Sequence, residues 1–307
     1  MSRTHRRSLS RSLSVLALLA LTAGAATACS DGDSTAKDSP SAGSSASPGA
    51  GQAGEAKLHM VDNDGHRLAF YVTQGKGPTI VLDAGGGEDS SQWNDLIPKI
   101  HEATGATVIT YDRAGMGKSD VVPGAWSVES AVSDLKGGLD KLGVTENVTL
   151  VSHSQAGEVA TYFAKENPTM LSGAVLVDAS LPPLYTDEEI TRLAAATQPQ
   201  VDAAKKDPDK PQNRQLISTA ESYVPMHKAY HKVSWPNSVP ATVIVSEKTP
   251  FDGSPEDVRR WKDAAKVFTD DGPNRTLVTA DNSSHDIPKD RPDLILKEIE
   301  TRATAQQ

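Results

Sequence analysis

The sequence predicts a mostly parallel, doubly wound α/β sheet, and three observations predict it. Beyond an opening hairpin, short apolar runs alternate with helical stretches, the pattern of strands covered on both faces by crossover helices. At Val148–Gly157 (VTLVSHSQAG) a β-branched run passes into a helix through a tight turn with Ser154 at its tip. Glycine-rich and charged segments follow directly on strand ends, where an open sheet of this kind holds its ligands.

Taken in order, Lys57–Val61 and His66–Val72 alternate around Asn63-Asp64-Gly65 and read as a hairpin. Strands are then predicted at Thr79–Asp83, Thr107–Tyr111, Val148–Ser152, Ala174–Asp178, Ala241–Val245 and Arg275–Thr279. Helices are predicted at Trp93–Ala103, Ser127–Leu142, Gln155–Glu166, Pro255–Phe268 and Asp290–Ala303. The third helix is the clearest: Ala156, Val159, Ala160, Phe163 and Ala164 share one face, and Asn167-Pro168 stops it. From Leu181 to Val239 the pattern loosens into two weak helical stretches with Pro182-Pro183 at their head.

The N-terminal residues belong to no fold. Arg3, Arg6, Arg7 and Arg11 form a basic region, and Leu13–Ala26 is apolar but short for a comfortable membrane span. Ala26-Thr27-Ala28 precedes Cys29, the single cysteine of the 307-residue chain. That arrangement resembles a bacterial lipobox and implies a signal segment at 1–28, lipid on Cys29 and an extracytoplasmic, membrane-anchored protein; the alternative is plain secretion. Ser30–Ala56 carries no Val, Ile, Leu, Met, Phe, Trp or Tyr. It cannot bury apolar surface, so 29–56 reads as a disordered tether with a reach of about 30 Å. The whole chain has a net charge of −9; loss of 1–28 removes four arginines and no acidic residue, leaving −13. So acidic a surface argues against nucleic acid, and a lone cysteine excludes an intramolecular disulfide. Residues 57–307 are one domain's worth of sequence.

Several segments carry chemistry. Asp83-Ala84-Gly85-Gly86-Gly87 follows the first parallel strand and lets backbone N–H groups approach a ligand. No Gly-Lys-Ser/Thr follows it at the G-x-x-x-x-G-K-S/T spacing, so it is no phosphate loop. Tyr111–Ser119 (YDRAGMGKS) has G-x-G spacing only, and Asp112 and Arg113 read as braces for nearby loops. His285 stands just after the last strand, whereas His153, inside the turn, reads as a packing residue pointing away from Ser154. Tyr185, Leu193, Tyr223, Met226 and Tyr230 could line a pocket, although ordinary packing accounts for each. His227 and His231, at i and i+4, could pair on a metal, but no third ligand accompanies them and a solvated helix face is the simpler reading.

Together the Ser154 turn, the Tyr111–Ser119 segment and His285 resemble the α/β-hydrolase superfamily. Ser154 falls in its G-x-S-x-G nucleophile elbow, with Ser152 and Ala156 where glycines are usual. The resemblance implies a Ser-His-acid triad with Ser154 as nucleophile and His285 as general base. It also implies an oxyanion hole from the N–H groups of Gly86 and Gln155, and a cap inserted at about 181–239. The acid is less direct. The usual position falls in Ser246-Glu247-Lys248-Thr249, where threonine cannot serve, so Asp178 is preferred, with Asp252 as the alternative and Glu247 and Asp257 behind them. A serine at the elbow argues against the superfamily's dehalogenases and epoxide hydrolases, which use Asp. The implied activity is hydrolysis of a carboxylic ester or related small acyl substrate, with no metal and no cofactor. Perhydrolysis, lactone opening or C–C hydrolysis on the same serine is the alternative, as is an anchored binding protein on a degenerate hydrolase fold.

If Cys29 is lipidated, Cys29→Ala moves the protein from the detergent phase to the medium on phase partitioning; unchanged partitioning contradicts the lipobox.

Overall fold

The computed structural model describes residues 55–251 and 254–304. The expected signal segment, Cys29, nearly all of the tether and Asp252 lie outside the described residues.

The strands are β1 (Lys57–Asn63), β2 (His66–Thr73), β3 (Thr79–Asp83), β4 (Thr107–Tyr111), β5 (Val148–His153), β6 (Leu171–Val177), β7 (Ala241–Ser246) and β8 (Arg275–Ala280). Among the described residues they form one eight-stranded sheet in the order β1-β2-β4-β3-β5-β6-β7-β8. The β1–β2 hairpin, turned at Asp64-Gly65, pairs antiparallel within itself and with β4; every later pairing is parallel. The helices are α1 (Ile97–Thr104), α2 (Val128–Lys141), α3 (Ala156–Glu166), α4 (Asp187–Ala204), α5 (Pro211–Tyr230), α6 (Pro255–Asp270), α7 (Ile287–Asp290) and α8 (Pro292–Thr304).

Alternate strand residues feed two cores. Val81, Ile109, Leu150, Leu176 and Val243 pack with α2, α3 and α6, while Ile80, Leu82, Val108, Val151, Val175 and Ile244 pack with α1 and α8. This period-two division leaves inner strands such as β5 and β7 buried along their whole length, as a sheet covered on both faces requires. The α/β-hydrolase fold class expected from the sequence is the one observed.

Local departures have local causes. The first helix begins at Ile97 rather than Trp93, because Ser90–Trp93 is a separate 3-10 turn in which the Ser91 N–H donates to the Asp89 side chain. The closing helix is two pieces, broken at Arg291, where Pro292 disfavours the helical conformation of the preceding residue. The strand expected at Ala174–Asp178 starts at Leu171 and stops at Val177, leaving Asp178 in the left-handed region at φ 39°. The largest correction is in the cap: the two weak stretches are full helices of 18 and 20 residues, α4 and α5. Pro199 and Pro225 lie inside them, and each removes a helical donor and blurs the pattern.

At Gly138, α2 lies close against the sheet. A Cβ there would lie 2.0 Å from the Phe70 ring, which is itself buried and stacked on Tyr111 at 5.2 Å. Alanine is favoured over glycine in a helix by about 1 kcal/mol, but overpacking costs about 1–3 kcal/mol. Gly138→Ala therefore lowers the urea midpoint; a raised midpoint would show that Phe70 yields without cost.

Candidate active site

The parallel strands deliver their carboxyl ends to one edge of the sheet, and the residues singled out from the sequence meet there. β5 is buried throughout and ends at His153, after which Ser154 sits in the left-handed region at φ 54°. For a non-glycine residue that conformation costs on the order of 1–3 kcal/mol and persists only when its surroundings impose it. Here they do: Ser154 N–H donates to Val177 O at 3.1 Å, and Ser154 O accepts from Ser180 N at 2.9 Å and Gly157 N at 3.0 Å. Ser152 and Ala156 fit where glycines were expected, both fully buried. The demand for a bare backbone falls instead on Gly157, where a Cβ would lie 2.5 Å from Ser180 O.

His285 arrives from the loop after β8. Its Nε2 is 2.8 Å from Ser154 Oγ, and its Nδ1 is 2.6 Å from Asp178 Oδ2. Asp178 is 1% exposed, and four donors meet its two oxygens. Ser246 N–H (3.0 Å) and Trp261 Nε1–H (2.8 Å) donate to Oδ1, while Ser246 Oγ–H (2.6 Å) and His285 Nδ1–H donate to Oδ2. Burial alone would push this carboxyl upward. The hydrogen bond and charge of His285, with both Ser246 donors, hold it below the usual aspartate range.

Two of the other carboxylates weighed for this place are used elsewhere. Glu247 accepts from Asn282 N at 2.7 Å near the surface, and Asp257 pairs with Arg192 and Ser254. Asp252 falls outside the described residues. The usual acid position is held by Thr249, while Ser246, three residues earlier at the end of β7, donates to the aspartate just beyond β6.

A second layer holds the imidazole, and sequence reasoning missed it. His153 does more than pack: its Nε2 donates to the His285 carbonyl at 2.9 Å, while its Nδ1 accepts from Gln92 Nε2 at 3.0 Å. Burial, and then the positive charge of His285, pull the His153 pKa down to about 3, so it is neutral and its tautomer is set by these partners. Trp261 packs edge-on against His285, with ring centroids 6.0 Å apart, while its N–H serves Asp178.

The glycine loop lies against the serine turn: a Cβ at Gly85 would be 3.5 Å from Ser154 Cβ. Arg113 clamps this loop through Asp83 Oδ1 (2.6 Å), Ala84 O (2.5 Å) and Gly85 O (2.5 Å). Asp112 receives the N–H groups of Ser90 and Lys118 and the Tyr71 hydroxyl. Gly85 N–H is taken by Gln92 Oε1 and Gly87 N–H by Gln215 Oε1. Between them, Gly86 N–H has no acceptor among the described residues, and neither does Gln155 N–H at the start of α3. Buried backbone donors without partners are rare.

The histidine pair on α5 is divided. His227 is 1% exposed rather than solvated, with Nε2 3.1 Å from Glu158 Oε1, while His231 Nδ1 is 3.0 Å from Pro182 O. Among the described residues no group of three or more His, Cys, Asp or Glu is placed to hold a metal ion. Of the possible pocket residues, Tyr185 and Tyr223 line a cavity beneath the cap; Leu193, Met226 and Tyr230 pack in the core.

A model of the alpha/beta hydrolase family matches residues 80–298, and the chain belongs to that family. An uncharacterized protein of Mycobacterium bovis is 37% identical over 115 residues, covering 38% of this chain and 33% of that protein. A soluble epoxide hydrolase of a Corynebacterium species is 29% identical over 120 residues, 39% of this chain and 41% of that protein. The chain thus spans a third to two fifths of the length of these relatives. Among solved structures, an esterase from Exiguobacterium antarcticum superposes with a TM-score of 0.60 at 16% identity, over 80% of this chain and 98% of that one. At that identity the likeness is one of fold.

Proposed function

We propose that this chain is a serine hydrolase that cleaves a carboxylic ester or related acyl substrate through an acyl-enzyme. The observation that carries the proposal is the unbroken contact from Ser154 Oγ through His285 to Asp178, at 2.8 and 2.6 Å. Ser154 Oγ attacks the carbonyl carbon while His285 Nε2 takes its proton. Negative charge develops on the carbonyl oxygen, and the free N–H groups of Gly86 and Gln155 stabilise it; one such donor is worth on the order of 10²–10³ in rate. His285 then gives its proton to the departing alkoxide, the ester bond breaks, and the acyl group stays on Ser154. Water repeats the sequence: His285 accepts its proton, the oxygen adds to the acyl carbon, and collapse returns the proton to Ser154 and frees the acid. Asp178 keeps Nδ1 protonated and stabilises the imidazolium that forms in both halves.

The soluble epoxide hydrolase among the relatives does not transfer its activity, since Ser154 occupies the elbow where such enzymes carry aspartate. The contact between Asp178 and His285 weighs against the alternative of a non-catalytic binding protein. Lipid on Cys29 and the tether behind it complete the proposal, holding a small-molecule hydrolase close to the outer face of a membrane.

A fluorophosphonate probe, whose phosphorus bonds to the serine oxygen as fluoride leaves, labels wild type and fails on Ser154→Ala. Asp178→Asn lowers kcat on p-nitrophenyl acetate by about 10⁴, whereas Asp252→Asn changes it little. No labelling of the wild type contradicts the proposal, and the reverse ranking of the two aspartates moves the acid.

A further inference from the structure

Glu158 lies in the first turn of α3, four positions after Ser154, and is the one acidic residue buried in that helix. It is 2% exposed and none of the steps above uses it. One oxygen is crowded: Oε1 receives the Ser180 hydroxyl at 2.9 Å, the Tyr185 hydroxyl at 3.4 Å and His227 Nε2 at 3.1 Å. The other, Oε2, is buried and has no hydrogen-bond partner among the described residues, and the same is true of the Tyr223 hydroxyl. Glu158 and Tyr223 both line a cavity of about 210 Å³ that extends from Gln155 under α4 and α5. A buried acceptor and a buried donor, each costly to leave unpaired, therefore belong to residues that line one space.

Proton counting sets the charge of that space. His227 Nδ1 lies 2.8 Å from the Tyr223 carbonyl, so this nitrogen carries hydrogen. The contact between Nε2 and Glu158 Oε1 then needs one further proton, on the imidazole or on the carboxyl. Either way the pair is neutral as a unit. No other Asp, Glu, Lys, Arg or His lines the cavity, so nothing in it balances a charged ligand. Burial, and then the negative charge of Glu158, push the Tyr223 phenol upward, so it stays a donor. Ala194, Val201, Leu216 and Val224 add hydrocarbon to the lining, and its remaining polar side chains, Thr197 and Gln198 among them, are uncharged.

We propose that this cavity is a subsite for a neutral hydroxyl group on an aliphatic chain, the hydroxyl donating to Glu158 Oε2 and accepting from Tyr223. One oxygen that both donates and accepts satisfies both unpaired atoms. Gln155, the residue after Ser154, lines the cavity, so a chain carried on Ser154 enters it past that residue. The substrate class is thus an ester of a hydroxylated aliphatic acyl chain. This assignment to a substrate rests on the serine hydrolase proposal; the binding chemistry does not.

The test separates the two. In Ser154→Ala protein, titration calorimetry with methyl 6-hydroxyhexanoate and methyl hexanoate gives binding without turnover. The hydroxylated ester binds about tenfold tighter or more, and Tyr223→Phe or Glu158→Gln in the same background brings the ratio towards one. Equal affinity for the two esters overturns the subsite, as does a ratio that either variant leaves unchanged while weakening both ligands alike. If the preference is found but the wild type resists the fluorophosphonate, the subsite stands and the hydrolase proposal falls.

Discussion

A carboxylate that is 1% exposed has to find its hydrogen-bond donors within the protein, and Asp178 finds them on three separate elements. Ser246 comes from the end of β7, Trp261 from α6 and His285 from the loop after β8. A single charged group thereby draws the C-terminal part of the fold onto the strand end beside Ser154. Each donor is held by the carboxylate as much as it satisfies it. Leaving a buried charge short of a partner costs about 3–5 kcal/mol, so the arrangement resists partial loosening. The position of the imidazole is a consequence of that accounting and not of the β8 loop alone.

The serine turn is over-determined in the same way. Its left-handed conformation is held by backbone bonds to Val177, Gly157 and Ser180, and Gly157 leaves room for the last of these contacts. Arg113 fixes the facing loop by taking two consecutive carbonyls, while Gln92 links that loop to His153 and, through it, to the His285 backbone. Ser154, His285 and the glycine loop are consequently parts of one hydrogen-bonded unit. Such a unit reorganises little when charge develops on a reacting oxygen, the condition under which fixed dipoles stabilise it most.

The strands and most helices were legible because each has a local signature, apolar runs or helical periodicity. Ser154, Asp178 and His285, which the structure brings together, were singled out through a family resemblance and their position just after strand ends. The supporting layer has no local signature. Trp261 reads as one more apolar residue on α6, and its role is set by an aspartate 83 positions away. His153 reads as filler because its partners, Gln92 and the His285 carbonyl, are chosen by tertiary structure. Glu158 was invisible for a different reason. α3 is buried on nearly every side, so periodicity cannot separate a polar inward residue from a solvated one. In the cap, Pro199 and Pro225 hid two long helices, and the burial of His227 followed from the placement of α5 against Glu158.

The central claim is that Ser154 Oγ, the His285 imidazole and two free backbone donors surround a single reacting centre. The most direct measurement is a crystal structure of the protein after reaction with a p-nitrophenyl alkylphosphonate, in which an oxygen–phosphorus bond forms as p-nitrophenolate leaves. The account predicts phosphorus on Ser154 Oγ, with one phosphonyl oxygen within hydrogen-bond distance of both Gly86 N and Gln155 N. Phosphorus on another residue, or a phosphonyl oxygen turned away from those two amides, would contradict it.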